Sequence, residues 1–235
     1  MDNITSRKNE YIRYLKNYSG EDLLCCGMKM LEEAIKSGAE ITGILWKGSA
    51  QTTVDCERQY TAPADLFDYA CPLKNSPGPM FTARPDSAKF EREIRNAIIL
   101  ENVQDPGNVG TVIRTANALN IDCVYLVGDC ASLHNIKTVS ASMGAVFYQK
   151  VLVNQLPDLP IYGAALSHNS VNITNTKLCN CAVAIGSEGH GLSGEMLEKC
   201  DKEIIIPMSE RAESLNAAVA ASILMWEMAK NSGIL

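Results

Sequence analysis

The chain has 235 residues, 46% of them hydrophobic and 20% charged, with a net charge of −6 and a pI near 5.2. This is the composition of a globular protein with one large domain or two small ones, and no apolar run approaches the roughly 18–20 residues that span a bilayer. The polar N-terminus, residues 1–16, lacks the apolar stretch of a signal peptide, so the expected compartment is cytoplasmic.

In chain order, Arg7, Lys8, Arg13 and Lys16 surround apolar Ile12 and Leu15, an amphipathic helix whose basic side is either solvated or set against phosphate. Met28, Leu31, Ala34 and Ile35 at helical spacing predict a helix over 28–36, stopped by Ser37-Gly38. A short strand over 41–46 and a short helix over 63–69, with Pro63 near its first turn, follow. Prolines and glycines between Cys71 and Pro79, and again at Arg84-Pro85-Asp86, break regular structure. They place a domain boundary between Pro85 and Arg95, with residues 88–92 as linker. From Asn96 the pattern alternates: strand 97–100, helix 109–119, strand 123–127, an extended segment 146–153, strands 161–166, 182–185 and 203–208, then helix 217–229. Such alternation predicts an α/β fold, a parallel sheet with helices on both faces.

Nine cysteines, an odd number without a CxxC pair, argue against both a disulfide framework and a zinc site; reduced, mostly buried thiols and no metal are expected. The charge is uneven, with residues 1–92 at net −1 and residues 93–235 at net −5. A basic face, which a nucleic-acid binder uses, therefore has most room in the N-terminal part.

Two late strands end in small polar loops. Ala182 to Ile185 runs into Gly186-Ser187-Glu188-Gly189-His190-Gly191-Leu192, and Ile204 to Met208 runs on to Ser214-Leu215-Asn216. A buried strand that stops at a glycine-rich loop before a helix is where open α/β sheets bind ligands, and two such loops could share one. The earlier loop, Asp105-Pro106-Gly107-Asn108-Val109-Gly110, is neither GxGxxG nor GxxxxGK[ST], which disfavours nicotinamide dinucleotides and nucleoside triphosphates. Asn108 is positioned to cap the following helix, and Ser214 the last one. Arg114 reads as a solvated charge or as part of the chemistry. His134, His168 and His190 are isolated, and His190 reads as loop structure.

Taken in order, Asn108-Val109-Gly110…Arg114-Thr115-Ala116, Gly186-Ser187-Glu188-Gly189-His190-Gly191-Leu192 and Ile206-Pro207-Met208…Ser214-Leu215-Asn216 resemble the three motifs of the SpoU (TrmH-like) RNA ribose 2′-O-methyltransferases of the SPOUT class. The resemblance covers about residues 96–230. More loosely, Gly27…Leu31-Glu32-Glu33-Ala34 and Ser76-Pro77-Gly78 resemble the small RNA-binding domain of the ribosomal-RNA branch. The resemblance implies an N-terminal RNA substrate-binding α/β domain with linker (1–92) and a methyltransferase domain (93–235) ending in a C-terminal trefoil knot. It also implies a homodimer, while the lack of a long apolar run leaves no membrane partner expected. S-adenosyl-L-methionine (AdoMet) would be held by Leu166, Gly186, Ile206, Met208, Leu215 and Asn216. Catalysis would fall to Asn108, Arg114, Glu188, Ser214 and Asn216. An arginine stays protonated at physiological pH, so beside the general-base role proposed for the family stands a simpler one. Arg114 would stabilise a developing alkoxide or grip a phosphate, with Glu188 orienting Arg114 or Asn108.

The sequence departs from the family pattern at Glu210, where glycine is usual, at Leu119-Asn120, where Phe-Gly is usual, and at Cys26-Gly27, where Glu-Gly is common. Ribosomal RNA is the favoured substrate. The alternatives are a tRNA ribose methyltransferase and a non-catalytic RNA- or ribosome-binding protein of the same fold.

Overall fold

A computed structural model describes all residues except Arg92, Glu210, Ala212, Glu213, Ile234 and Leu235, and except the side chains of Ala88 and Lys89. The departure at Glu210 thus lies outside the described residues. The N-terminal part contains β1 (Asp2–Asn3), α1 (Glu10–Lys16), β2 (Leu23–Cys26), α2 (Met28–Ser37), β3 (Glu40–Lys47), β4 (Gln59–Ala62), α3 (Ala64–Ala70) and β5 (Met80–Arg84). Its strands form a mixed sheet in the order β1-β4-β3-β5-β2. The remainder contains β6 (Ala97–Glu101), α4 (Pro106–Ala118), β7 (Cys123–Val127), α5 (Ile136–Ala141), β8 (Lys150–Val153), β9 (Ile161–Ala164), β10 (Val171–Asn172), β11 (Ala182–Ile185), α6 (Gly194–Glu198), β12 (Lys202–Ile205) and α7 (Ala217–Asn231). These seven strands form one sheet, β10-β12-β9-β11-β6-β7-β8, in which every pair is parallel.

Strand periodicity sorts the second sheet's side chains. Ile98, Leu100, Val124, Leu126 and Val183 meet the apolar faces of α4 and α7, while Ala97, Ile99, Tyr125 and Ala184 pack with Met196 of α6 on the other side. A sheet buried on both faces needs apolar residues throughout its strands, which is why AIILE, CVYLV and AVAI do not alternate with polar residues. The expected parallel sheet with helices on both faces is what the chain builds.

The first sheet is also two-sided. On one face Ile12, Leu15, Leu66 and Phe67 from α1 and α3 cover Leu24, Leu45 and Met80. On the other, Leu31 of α2 joins Leu23, Trp46 and Phe81, and this core is completed by Val139, Val146 and Phe147 from the C-terminal part. The two sheets are therefore joined through a shared core.

Helix α4 approaches α5 closely at Gly110, where a Cβ would lie 2.4 Å from the Thr138 carbonyl oxygen and 2.6 Å from the Ala141 Cβ. Alanine would gain about 1 kcal/mol in helix propensity, but the backbone carbonyl opposite cannot rotate away, and overpacking costs about 1–3 kcal/mol. Gly110→Ala is therefore expected to be destabilising on balance, with a lower urea midpoint and an unchanged m-value.

Several boundaries differ from the sequence reading. Residues 145–147 form a 3-10 turn rather than extended chain, entered through Met143 and Gly144 at φ 52° and 93°, and it buries Phe147 in the shared core. The expected linker begins inside another 3-10 turn, Ser87–Phe90, and its last residue, Arg92, is not described. Helix α4 starts three residues earlier than expected because Asp105 caps it, accepting from the Asn108 N–H at 2.8 Å. Asn108 is thus not the cap, and its side chain is free for other work. Asn120 takes the left-handed turn expected of it, at φ 50°.

Candidate active site

Strands β12, β9 and β11 are neighbours and parallel, so their C-terminal ends open on one edge of the sheet. The segments leaving them enclose a cleft of about 540 Å³, within the range of small-molecule sites. Leu166, Ile206, Met208 and Leu215 give it apolar walls, Gly186 lies against it, and Ser187, Glu188, Glu203 and Ser214 bring polar groups. Five of the six residues expected to hold a cofactor line this cleft. The sixth, Asn216, does not line it. Leu166 is 61% exposed, an apolar side chain left uncovered beside an apolar hollow.

The loop after β11 is folded tightly onto its own start. Gly191 donates its N–H to the Ser187 carbonyl at 2.9 Å and sits at φ 67°, a conformation that favours glycine. Gly186 lies directly under that turn, where a Cβ would be 1.9 Å from the Gly191 carbonyl carbon. The backbone that approaches Gly186 is therefore first of all the loop's own. The far end of the loop is anchored by Glu101, only 6% exposed, which accepts from the Ser193 N–H at 2.7 Å and from the Ser193 hydroxyl at 2.6 Å. Ser193 in turn caps α6 through the Met196 N–H at 3.1 Å. Sequence reasoning missed both residues. A carboxylate ending the otherwise apolar strand β6 was the available signal, since such a group is buried only with partners.

Three residues far apart in sequence form one hydrogen-bonded chain. Asn216, and not Ser214, caps α7: its Oδ1 accepts from the N–H groups of Ala218 at 3.0 Å and Val219 at 3.3 Å. Its Nδ2 must then point outward, and it donates to the Asn108 Oδ1 at 3.1 Å. That fixes the Asn108 amide as well, and its Nδ2 donates to the Glu188 Oε1. Every amide in the chain has its orientation dictated by its neighbour, and the chain ends on a carboxylate at the cleft. The structure thus unites Asn108, Glu188 and Asn216, and selects Asn108 as the group that Glu188 orients. Ser214 lines the cleft beside them. Arg114 stays apart: it is exposed, six residues and roughly 9 Å along α4 from Asn108, and pairs with no carboxylate among the described residues. Exposed His190 borders the cleft as part of the loop.

All nine cysteines are free, and burial pushes the Cys123 and Cys181 thiols up to about 12, so both stay protonated. Among the described residues no cluster of three or more His, Cys, Asp or Glu side chains could hold a metal, and no helix is long and apolar enough to cross a membrane.

The family model described as "SpoU rRNA Methylase family" matches residues 95–226. The chain is 30% identical to the 23S rRNA (guanosine(2553)-2′-O)-methyltransferase RlmP of Bacillus subtilis, over 97% of this chain and 99% of that protein. Its fold matches the SpoU methyltransferase AviRb of Streptomyces viridochromogenes, solved with AdoMet, at a TM-score of 0.82 and 21% identity over 95% and 98% of the two chains. It likewise matches an AdoMet-bound rRNA methyltransferase of Sinorhizobium meliloti at 0.80 and 22%, over 96% of each. Motifs at three strand ends, a cleft between them and near full-length similarity all lead to one statement: this chain belongs to the SpoU rRNA methylase family.

Proposed function

We propose that the chain is an AdoMet-dependent methyltransferase that methylates a ribose 2′-hydroxyl of ribosomal RNA. The observation that carries this reading is the Glu188–Asn108–Asn216 chain ending at the apolar cleft. Similarity to RlmP supports the ribosomal substrate, because it runs through the N-terminal part as well as the methylase region.

The residues present suit the donor. Leu166, Ile206 and Leu215 offer apolar walls for an adenine, and the glycine-rich loop leaves backbone groups close to the hollow for the polar portions. When bound, AdoMet supplies an electrophilic methyl group on a sulfonium. The chain's own residues must then align a ribose hydroxyl and deal with its proton. Glu188 has its Oε1 engaged by Asn108, which leaves Oε2 to accept from a hydroxyl or a guanidinium. Asn108 holds the carboxylate still, Asn216 holds Asn108, and Ser214 stands alongside. To Arg114, which stands apart from these residues along α4, we assign the charge that grows on the ribose oxygen or the adjoining phosphate.

Residues 1–92 form the RNA substrate-binding domain and residues 93–235 the methyltransferase domain, in our reading with its C-terminal segment tied as a trefoil knot around the cleft. The protein works as a homodimer. Helix α7 supports this, because Val219 and Trp226, 48% and 50% exposed, make an uncovered apolar stripe on its outer side with half-buried Ile223. We place its action in the cytoplasm, in line with the similarity to a bacterial 23S rRNA methyltransferase.

The test is transfer of labelled methyl groups to 23S rRNA and to tRNA, with the product located by resistance of the modified linkage to alkali. Arg114→Ala is expected to lower turnover by about a hundred-fold or more while leaving AdoMet affinity unchanged in calorimetry. Near-normal turnover in that variant would remove Arg114 from the mechanism. Transfer to tRNA alone would move the substrate, and AdoMet binding without transfer to either RNA would favour a binding protein.

A further inference from the structure

The outer face of the first sheet, opposite the shared core, carries an open pocket of about 530 Å³ between α1 and β4. Tyr11, Tyr14 and Tyr60 line it, with Lys8 and Arg58 beside them. The Tyr11 ring lies 4.6 Å from that of Tyr60 and 6.0 Å from that of Tyr14. Tyr11 sits this close to the sheet because β3 has Gly43 beneath it, where a Cβ would come within 2.5 Å of the Tyr11 hydroxyl oxygen. Tyr11 is buried and Tyr14 is 38% exposed, so a fixed aromatic floor adjoins an open aromatic face.

The cations are placed around these rings. Arg58 is held by its Nε, which donates to the Thr42 carbonyl at 2.9 Å, and its guanidinium carbon lies 5.9 Å from the Tyr14 ring centre. Neither Arg58 nor Lys8 pairs with a carboxylate among the described residues. Nearby, Arg7, just ahead of α1, and Lys16 at its end bracket Tyr69 at 4.5 and 3.3 Å. Over residues 7–16 four cations face a single carboxylate, Glu10, which also borders the pocket. This excess is local, since residues 1–92 together carry only −1. A solvated helix face has no need of clustered rings around unpaired cations.

We propose that this pocket holds an unpaired nucleotide of the RNA, its base stacked on Tyr14 and Tyr60 and its flanking phosphates on Lys8 and Arg58. Stacking on tyrosine needs a base outside a helix, so the partner is a loop or single strand and not an A-form duplex. The inference deepens the reading of the chain as an RNA enzyme and rests on it. The pocket lies on the sheet face away from the methylase part, so it contributes affinity and leaves the chemical step alone.

The experiment is fluorescence anisotropy on the full chain with a labelled oligouridylate of about 12 nucleotides and a duplex of the same length. The wild type is expected to favour the single strand. Tyr14→Ala should weaken that binding about ten-fold, an effect of the size found when a stacked base loses its ring, and Tyr14→Phe should keep it. Lys8→Gln should flatten the salt dependence by about one phosphate contact. With 23S rRNA as substrate, Tyr14→Ala should raise KM and leave kcat, AdoMet affinity and the melting temperature in place. Equal oligonucleotide binding by Tyr14→Ala, or no preference for the single strand, overturns the proposal. If the wild type binds through Tyr14 yet methylates no RNA, the pocket stands and the enzymatic reading falls.

Discussion

Asn108→Ala is expected to lower kcat for methyl transfer by about a hundred- to a thousand-fold, the usual cost of losing one preorganised polar group at a reacting centre. AdoMet affinity should stay within a few-fold of wild type, because Asn108 does not line the cleft. Its side chain is the middle link of three, donating to Glu188 and accepting from Asn216. Removing it frees the carboxylate at one end and leaves the Asn216 amide without its acceptor at the other. Groups that act as a unit are non-additive, so Asn108→Ala combined with Glu188→Ala should be little worse than either change alone. Single-turnover rates for the two single variants and the double variant provide the check, and losses that simply multiply would show that the residues act separately.

Gly186→Ala is expected to weaken AdoMet binding by about ten- to a hundred-fold, corresponding to about 1–3 kcal/mol of overpacking strain borne by the loop. The added methyl group would fall 1.9 Å from the carbonyl carbon of Gly191 and 2.0 Å from its oxygen, both backbone atoms. Relief requires the turn over residues 187–191 to lift, and that turn is a wall of the cleft. Gly194→Ala is the control: nothing lies within 4 Å of its added Cβ, its φ is not in the left-handed range and it does not line the cleft, so binding should be nearly unchanged. Isothermal calorimetry on the two variants separates them, and equal affinities would mean that the loop's shape does not matter to the donor.

The sheet of the C-terminal part was legible because a parallel, doubly covered sheet writes itself as short apolar runs between helical patterns. The cleft was legible for the same reason, since its walls are the residues that follow three such runs. What joins the site was not. Asn108, Glu188 and Asn216 are separated by 80 and then 28 positions, and no periodicity reports that their side chains meet. Locally, Asn108 and Ser214 looked like helix caps, yet Asp105 and Asn216 take those places, and each shift decides which amide is free to reach the site. Strand β2, four residues long, and the turn before β8 escaped because each owes its form to burial against distant residues. Glu101 shows the limit from the other side: its type was plain, but its partner, Ser193, lies 92 positions away.

The shared core has a consequence for how such a protein can be divided or inherited. Phe147 is 1% exposed, in a core it shares with Trp46, Phe81 and their neighbours from the front half. A version cut at residue 92 would bare that ring together with Val139 and Val146, so it would tend to stick to itself before any question of RNA arose. A lineage that dropped or exchanged the front half would have to repaint this side of the back half with polar residues in the same episode. The two halves are therefore tied as heritable units, and a homologue that keeps apolar residues at 139, 146 and 147 should be expected to keep its own first sheet.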